Sequence, residues 1–112
     1  MLYHLLILKA RTDLTPDDRR AFVEAFRTAV TTIDAVRAVR LGTRVLHGAG
    51  YEASADTKDL LGIIEFDDLA GLQAYLRHPA HTELGARFGQ SFNAASVYDF
   101  ETGGLERLDS LI

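Results

Sequence analysis

The chain predicts an α+β fold, a four-stranded antiparallel sheet with helices on one face, and three observations carry that expectation. Leu2 to Leu8 and Leu60 to Phe66 are apolar at nearly every position, which is how strands with two buried faces read. The stretches after Thr15 and after Asp68 instead repeat apolar residues at spacings of three and four, which gives each helix a single apolar stripe. Weaker strand-like runs fill the other two places. The order is therefore strand, helix, strand, strand, helix, strand, the split arrangement of a ferredoxin-like unit.

In chain order, the first strand carries Leu2, His4, Leu6 and Leu8 on one face and Tyr3, Leu5 and Ile7 on the other. At Thr15-Pro16-Asp17-Asp18 a capping hydroxyl, a proline at the first helical position and two acids meet the positive end of a helix. Phe22, Phe26, Ala29, Val30 and Ile33 form its stripe, and it runs to about Ile33. Val36 to Leu46 is a second, irregular strand with a bulge or bend at Gly42. His47 to Lys58 lacks helical periodicity and reads as a loop, with His47 exposed and Glu52, Asp56 and Asp59 as a solvated run. Leu60 to Phe66 is the third strand. Asp67 or Asp68 then caps a second helix with Leu69, Leu72 and Leu76 on its stripe, Tyr75 at the edge and an end at Pro79. Thr82 to Asn93 is amphipathic but holds Gly85 and Gly89, so a short helix or an ordered loop is expected. Ala95 to Glu101 is the fourth strand. Residues 1–101 make one domain, and residues 102–112 a C-terminal tail whose Leu105, Leu108, Leu111 and Ile112 are available to dock.

Composition narrows the function. With 112 residues, 47% hydrophobic and 25% charged, the chain has the make-up of one soluble globular domain. No apolar run approaches the roughly 18 residues of a membrane span. Cysteine is absent, so thiolate chemistry and disulfides are excluded and a cytoplasmic setting is expected. Twelve basic against sixteen acidic residues, without a basic stripe, argue against a nucleic-acid partner. Two helices cover one face of a sheet whose strands are apolar on both, so a second copy is expected on the other face, giving a homodimer with sheets packed face to face into a dimeric α+β barrel.

Chemistry concentrates in Tyr75-Leu-Arg-His78-Pro79-Ala-His81, which holds three of the four histidines and four tyrosines taken together. Histidine accepts and donates protons near neutral pH, and a nearby phenol polarises or relays. A helix stop at Pro79, with histidines complementing the negative helix end, explains part of the string without invoking function. His4 adds a polar ring on an apolar strand face, where such groups are usually paired for structural reasons.

This string, with His4 in the first strand and Tyr98-Asp99-Phe100-Glu101 in the last, resembles the stress-responsive A/B barrel family over Leu2 to about Glu101. The resemblance implies a dimeric barrel. It also implies a site, because one member is a cofactor-independent polyketide cyclase whose proposed acid–base pair is the tyrosine and second histidine of the string. Carried over, His81 is the base for an aldol or enolisation step, Tyr75 orients it or donates to the oxygen, and His4 positions the ligand. Phe22, Phe26, Leu72, Phe88 and Phe92 are the expected walls of a cavity for a small apolar or aromatic ligand, and no cofactor is expected. A further pocket tyrosine of that enzyme falls on Phe26, a departure that argues against an identical substrate. His78 is assigned a structural role.

Other readings are weighed against this one. A non-catalytic stress-responsive ligand-binding or assembly protein fits the same residues, since fold does not specify turnover. Cofactor-free monooxygenases use similar barrels, and the haem-degrading relatives need a tryptophan that this chain lacks. His78, His81 and His4 would make an underdetermined metal set, so no metal is assigned. Some family members hold a cation on main-chain carbonyls after the first helix, here those of Val30, Ile33 and Val36. Arg37, Arg40 and Arg44 read as a solvated strand edge. Asp99 and Glu101 are the carboxylates placed to hold His4 or an arginine.

Overall fold

The computed structural model describes residues 1–54 and 57–112, so Asp56 of the loop run lies outside the described residues. Strand β1 (Leu2–Ala10) is followed by helix α1 (Pro16–Thr32), strands β2 (Ala38–Thr43) and β3 (Leu60–Phe66), helices α2 (Leu69–Arg77) and α3 (Pro79–Ser91), strand β4 (Phe92–Glu101) and a terminal turn of helix, α4 (Leu108–Leu111). The sheet order is β2-β3-β1-β4, antiparallel throughout. That is the ferredoxin-like α+β arrangement, with the helices against one face of the sheet.

Alternation along β1 sets the layers. Leu2, His4, Leu6 and Leu8 are buried under the helices, whereas Tyr3, Leu5 and Ile7 are only half-buried on the opposite face. Ile64 and Phe66 of β3 join the inner set and are fully buried. In a single chain the outer face stays open, with Tyr98 and Phe100 of β4 about half exposed beside Leu5 and Tyr3, their partners in register. The expectation of two buried faces thus holds for one face within the chain and leaves the other bare.

Local chemistry explains the helix ends. The Thr15 hydroxyl accepts the Asp18 N–H at 3.1 Å, a cap that stabilises a helix start by about 1 kcal/mol, and Asp68 does the same for Gly71 N–H at 2.9 Å. Ala25 and Ala29 are the most buried side chains of α1 because this helix packs closely on α3, while Phe22 and Phe26 stay half-buried. Helix α3 is continuous over thirteen residues. Gly85 and Gly89 are exposed, and a Cβ at either would meet open space, so they cost helix propensity, roughly 1 kcal/mol each, without breaking the element. Pro79 is the first residue of α3 as well as the stop of α2, since a proline without an N–H suits a helix start.

Two further expectations change. Gly42 sits in regular register opposite Leu61, so β2 has no bulge there. Glu52 is not simply solvated: its carboxylate accepts the N–H groups of His47 and Gly48 at 2.8 and 2.7 Å and ties the loop around a 3-10 turn, Gly50–Ser54. Gly48 takes φ +89°, a conformation open to glycine at little cost.

Candidate functional site

Antiparallel register places His4 between Ile64 on one side and Asp99 on the other, all on the inner face. Adjacent side chains of such a pair reach each other, and His4 Nδ1 lies 2.6 Å from Asp99 Oδ1. A carboxylate only accepts, so Nδ1 carries the proton and Nε2 is left as an acceptor. His4 is 5% exposed, and Asp99 reaches it from an edge strand that remains open to water.

Tyr75 comes from the last turn of α2 and lies against this imidazole rather than at the edge of the stripe. Its ring centroid is 6.0 Å from His4 and 4.8 Å from His81, both edge-on, and 5.2 Å from Phe66. Tyr75 is 1% exposed. Among the described residues its hydroxyl makes no hydrogen bond, and burial alone pushes its pKa up to about 12, so the phenol keeps its proton at neutral pH and has an O–H to donate. His81 enters from the first turn of α3. Burial holds its pKa below the ordinary histidine value, the neighbouring His4 adds to that, and the Leu76 backbone opposes it. At neutral pH it is therefore an uncharged imidazole with a free base.

The kink between α2 and α3 makes this convergence possible. His78 caps α3, its Nδ1 accepting the Ala80 N–H at 3.0 Å, and α3 then turns back so that its third residue meets the last turn of α2. His78 is thereby committed to backbone. Among the described residues no group of three or more His, Cys, Asp or Glu side chains is arranged to hold a metal ion. The turn after α1 is closed by the Val36 N–H donating to the Ile33 carbonyl at 3.1 Å.

A cavity of about 390 Å³ lies between α1 and the sheet, with Leu6, Phe22, Phe26, Val30, Val39 and Phe92 among its walls. Three of the five expected wall residues, Phe22, Phe26 and Phe92, border it. Phe88 stands behind them, its ring 5.7 Å from Phe22 and 5.2 Å from Phe92, and Leu72 is packed into the core. His4, Tyr75 and His81 form a separate cluster beyond Leu6, the next inward residue to His4 on β1, and do not border the open hollow. A larger hollow of about 710 Å³ lies on the outer face, between Tyr3, Leu5, Ile63 and Phe100 of the sheet and Arg107 and Leu111 of the tail.

Asp99 is the functional candidate that sequence periodicity alone does not select, because its partner is 95 positions away. The three arginines of the second strand region do not converge. Arg37 pairs with Asp67 at 2.9 Å, Arg44 donates to the Glu52 carbonyl at 3.3 Å, and Arg40 borders the outer hollow.

The sequence profile of the stress responsive A/B barrel domain matches residues 2–102. The chain is 23% identical over 97 residues to olivetolic acid cyclase of Cannabis sativa, covering 87% of this chain and 92% of that protein. Among solved structures, a hydroxynitrile lyase from Passiflora edulis superposes with a TM-score of 0.73 at 14% identity, covering 88% of this chain and 90% of the other. A dimeric ferredoxin-like protein of unknown function from Jannaschia sp. CCS1 superposes with a TM-score of 0.70 at 22% identity, covering 90% and 98%.

Proposed function

We propose that this chain, which belongs to the stress-responsive A/B barrel family, works as a homodimer that binds a small apolar or aromatic molecule and presents it to a neutral histidine and a protonated tyrosine. The observation that carries this reading is the contact chain Asp99, His4, Tyr75, His81, in which burial leaves Tyr75 its proton and His81 uncharged at neutral pH. His81 is the base. It removes a proton from the carbon next to a ligand carbonyl, the electron pair moves onto the oxygen, and the Tyr75 hydroxyl, free of other partners, donates a hydrogen bond to that oxygen. His4, held by Asp99, positions the ligand and keeps its second nitrogen as an acceptor. No cofactor enters these steps.

Dimerisation is supported by the open outer face, where Leu61, Tyr98 and Phe100 are 38%, 52% and 50% exposed, and by the dimeric Jannaschia protein of the same fold. In that assembly residues 1–101 form the barrel domain and residues 102–112 the tail beside the pairing face. Among the described residues no helix is long and apolar enough to cross a membrane.

One observation favours a second reading, a non-catalytic ligand carrier: none of His4, Tyr75 and His81 borders the open cavity. Exchange of α-protons separates the two. An apolar diketone such as benzoylacetone, held in D2O and followed by proton NMR, should exchange faster with the protein present, and the acceleration should vanish in His81→Gln. Binding without acceleration would leave the carrier reading and remove the enolisation one.

A further inference from the structure

The walls of the 390 Å³ cavity are apolar with one exception. Arg27, on the exposed side of α1, is the one charged residue bordering it among the described residues, one helical turn after Val23. Val23 and Leu41 are 41% and 69% exposed, whereas Leu6 and Leu8 at the floor are 5% and 6% exposed, so the hollow opens between α1 and the edge strand β2 with Arg27 at its rim. The guanidinium forms no ion pair or hydrogen bond among the described residues, unlike those of Arg11, Arg20, Arg37 and Arg87, each of which pairs with an acid. Glu24, the acid one turn earlier, borders the groove between α1 and α3 instead and leaves Arg27 uncompensated.

From this geometry we infer that the cavity takes a free monocarboxylate with an apolar body, a medium-chain acyl or arylalkyl acid, its chain in the hollow and its carboxylate on Arg27. The inference rests on the ligand-binding reading above and adds the ligand's class and orientation. An apolar floor selects only for size and hydrophobicity, while a lone cation at the rim selects the sign of the head group. The floor runs toward Leu6, so an anchored carboxylate keeps the far end of the ligand nearest His4. A chain-length match is set by the hollow, whose volume lies at the small end of the roughly 300–1,000 Å³ common for ligand pockets.

Calorimetric titration with octanoate, octanamide and octylamine, at matched concentrations below micelle formation, tests the inference. Octanoate should bind more tightly than octanamide, and octylamine more weakly than both. Arg27→Gln should weaken octanoate by roughly two- to fivefold, the upper range for one exposed ion pair, bring it to the level of octanamide and leave octanamide unchanged. Arg27→Lys should restore much of the preference. Equal binding of octanoate and octanamide by the unaltered protein, or an equal loss of both in Arg27→Gln, overturns the inference while the cavity still binds apolar ligands. Failure of all three probes to bind overturns both the inference and the ligand-binding reading on which it rests. Position 27 is exposed on a helix, so these variants fold, and an unchanged melting temperature verifies it.

Discussion

Tyr75→Phe removes one oxygen and leaves the ring contacts with Phe66, His4 and His81 in place. Because the hydroxyl has no partner among the described residues, its loss breaks no hydrogen bond. The hydroxyl oxygen is also not a fully enclosed unpaired atom, Ser91 Oγ being the one such side-chain atom among the described residues, so its removal relieves no orphaned group and the variant should match the unaltered protein within about 0.5 kcal/mol. A domain of this size moves by roughly 4 °C per kcal/mol, which places the melting temperature within about 2 °C of the unaltered protein. Tyr75→Ala, by contrast, loses the whole buried ring and should cost about 3–5 kcal/mol. Urea titrations at constant slope measure both. The same substitution should abolish accelerated α-proton exchange, dissociating stability from chemistry. A pH arm adds a second check: burial raises the folded-state pKa of the phenol from 10 to about 12, so the folded state holds its proton longer than the unfolded one and stability falls as pH rises beyond 10. The Phe variant should lack Tyr75's share of that fall. Destabilisation of Tyr75→Phe by more than about 1 kcal/mol would refute the reasoning, because it would mean the hydroxyl has a structural partner.

Three further outcomes follow from named contacts. His81 has a folded-state pKa lowered by burial and by His4, so the unfolded chain takes up its proton first; stability present above 6.5 is lost as pH falls toward the lowered value, and His81→Gln should flatten that loss in melts between about pH 7.5 and 5. Asp99→Ala leaves the buried His4 Nδ1 without its acceptor and should cost about 1–2 kcal/mol, at the modest end because water reaches Asp99, while Asp99→Asn recovers most of it; urea melts and imidazole 15N shifts read both. Ile63→Arg places a charge on the open sheet face and should convert the dimer to a monomer in size-exclusion chromatography with light scattering; a monomeric unaltered protein would instead remove the barrel assembly.

Elements governed by local rules are legible in the sequence. Thr15-Pro16 and Asp68 mark helix starts through side chains within three residues, and the alternation of β1 divides its residues correctly between the two faces because its period matches the pleat, although only one of those faces is buried within the chain. Gly42, Gly85 and Gly89 mislead for one reason: glycine weakens any element, yet whether it breaks one depends on surrounding packing, and here β2 is held by its ladder to β3 and α3 by burial of Leu84 and its packing on α1. Pro79 is ambiguous in a different way. It forbids the helix behind it and favours the helix ahead, and only the His78 cap, with a ring nitrogen taking the place of the usual hydroxyl, shows that it does both.

The site divides along the same line. Tyr75 and His81 are six positions apart, and their meeting needs only one kink, so a short string carries it. The pair of His4 and Asp99 depends instead on which residue of β4 faces which residue of β1, and one step of register would turn Asp99 to the other face. Arg27 illustrates the remaining gap: on a helical wheel it belongs to the polar side of α1, and its meaning changes only because a hollow lined by Val39, Leu41 and Gly42 of β2 lies between that helix and the sheet. A charge on the solvated face of a helix becomes a selector when an apolar hollow opens between that helix and the edge of the sheet, and that is a property of two elements together rather than of either sequence alone.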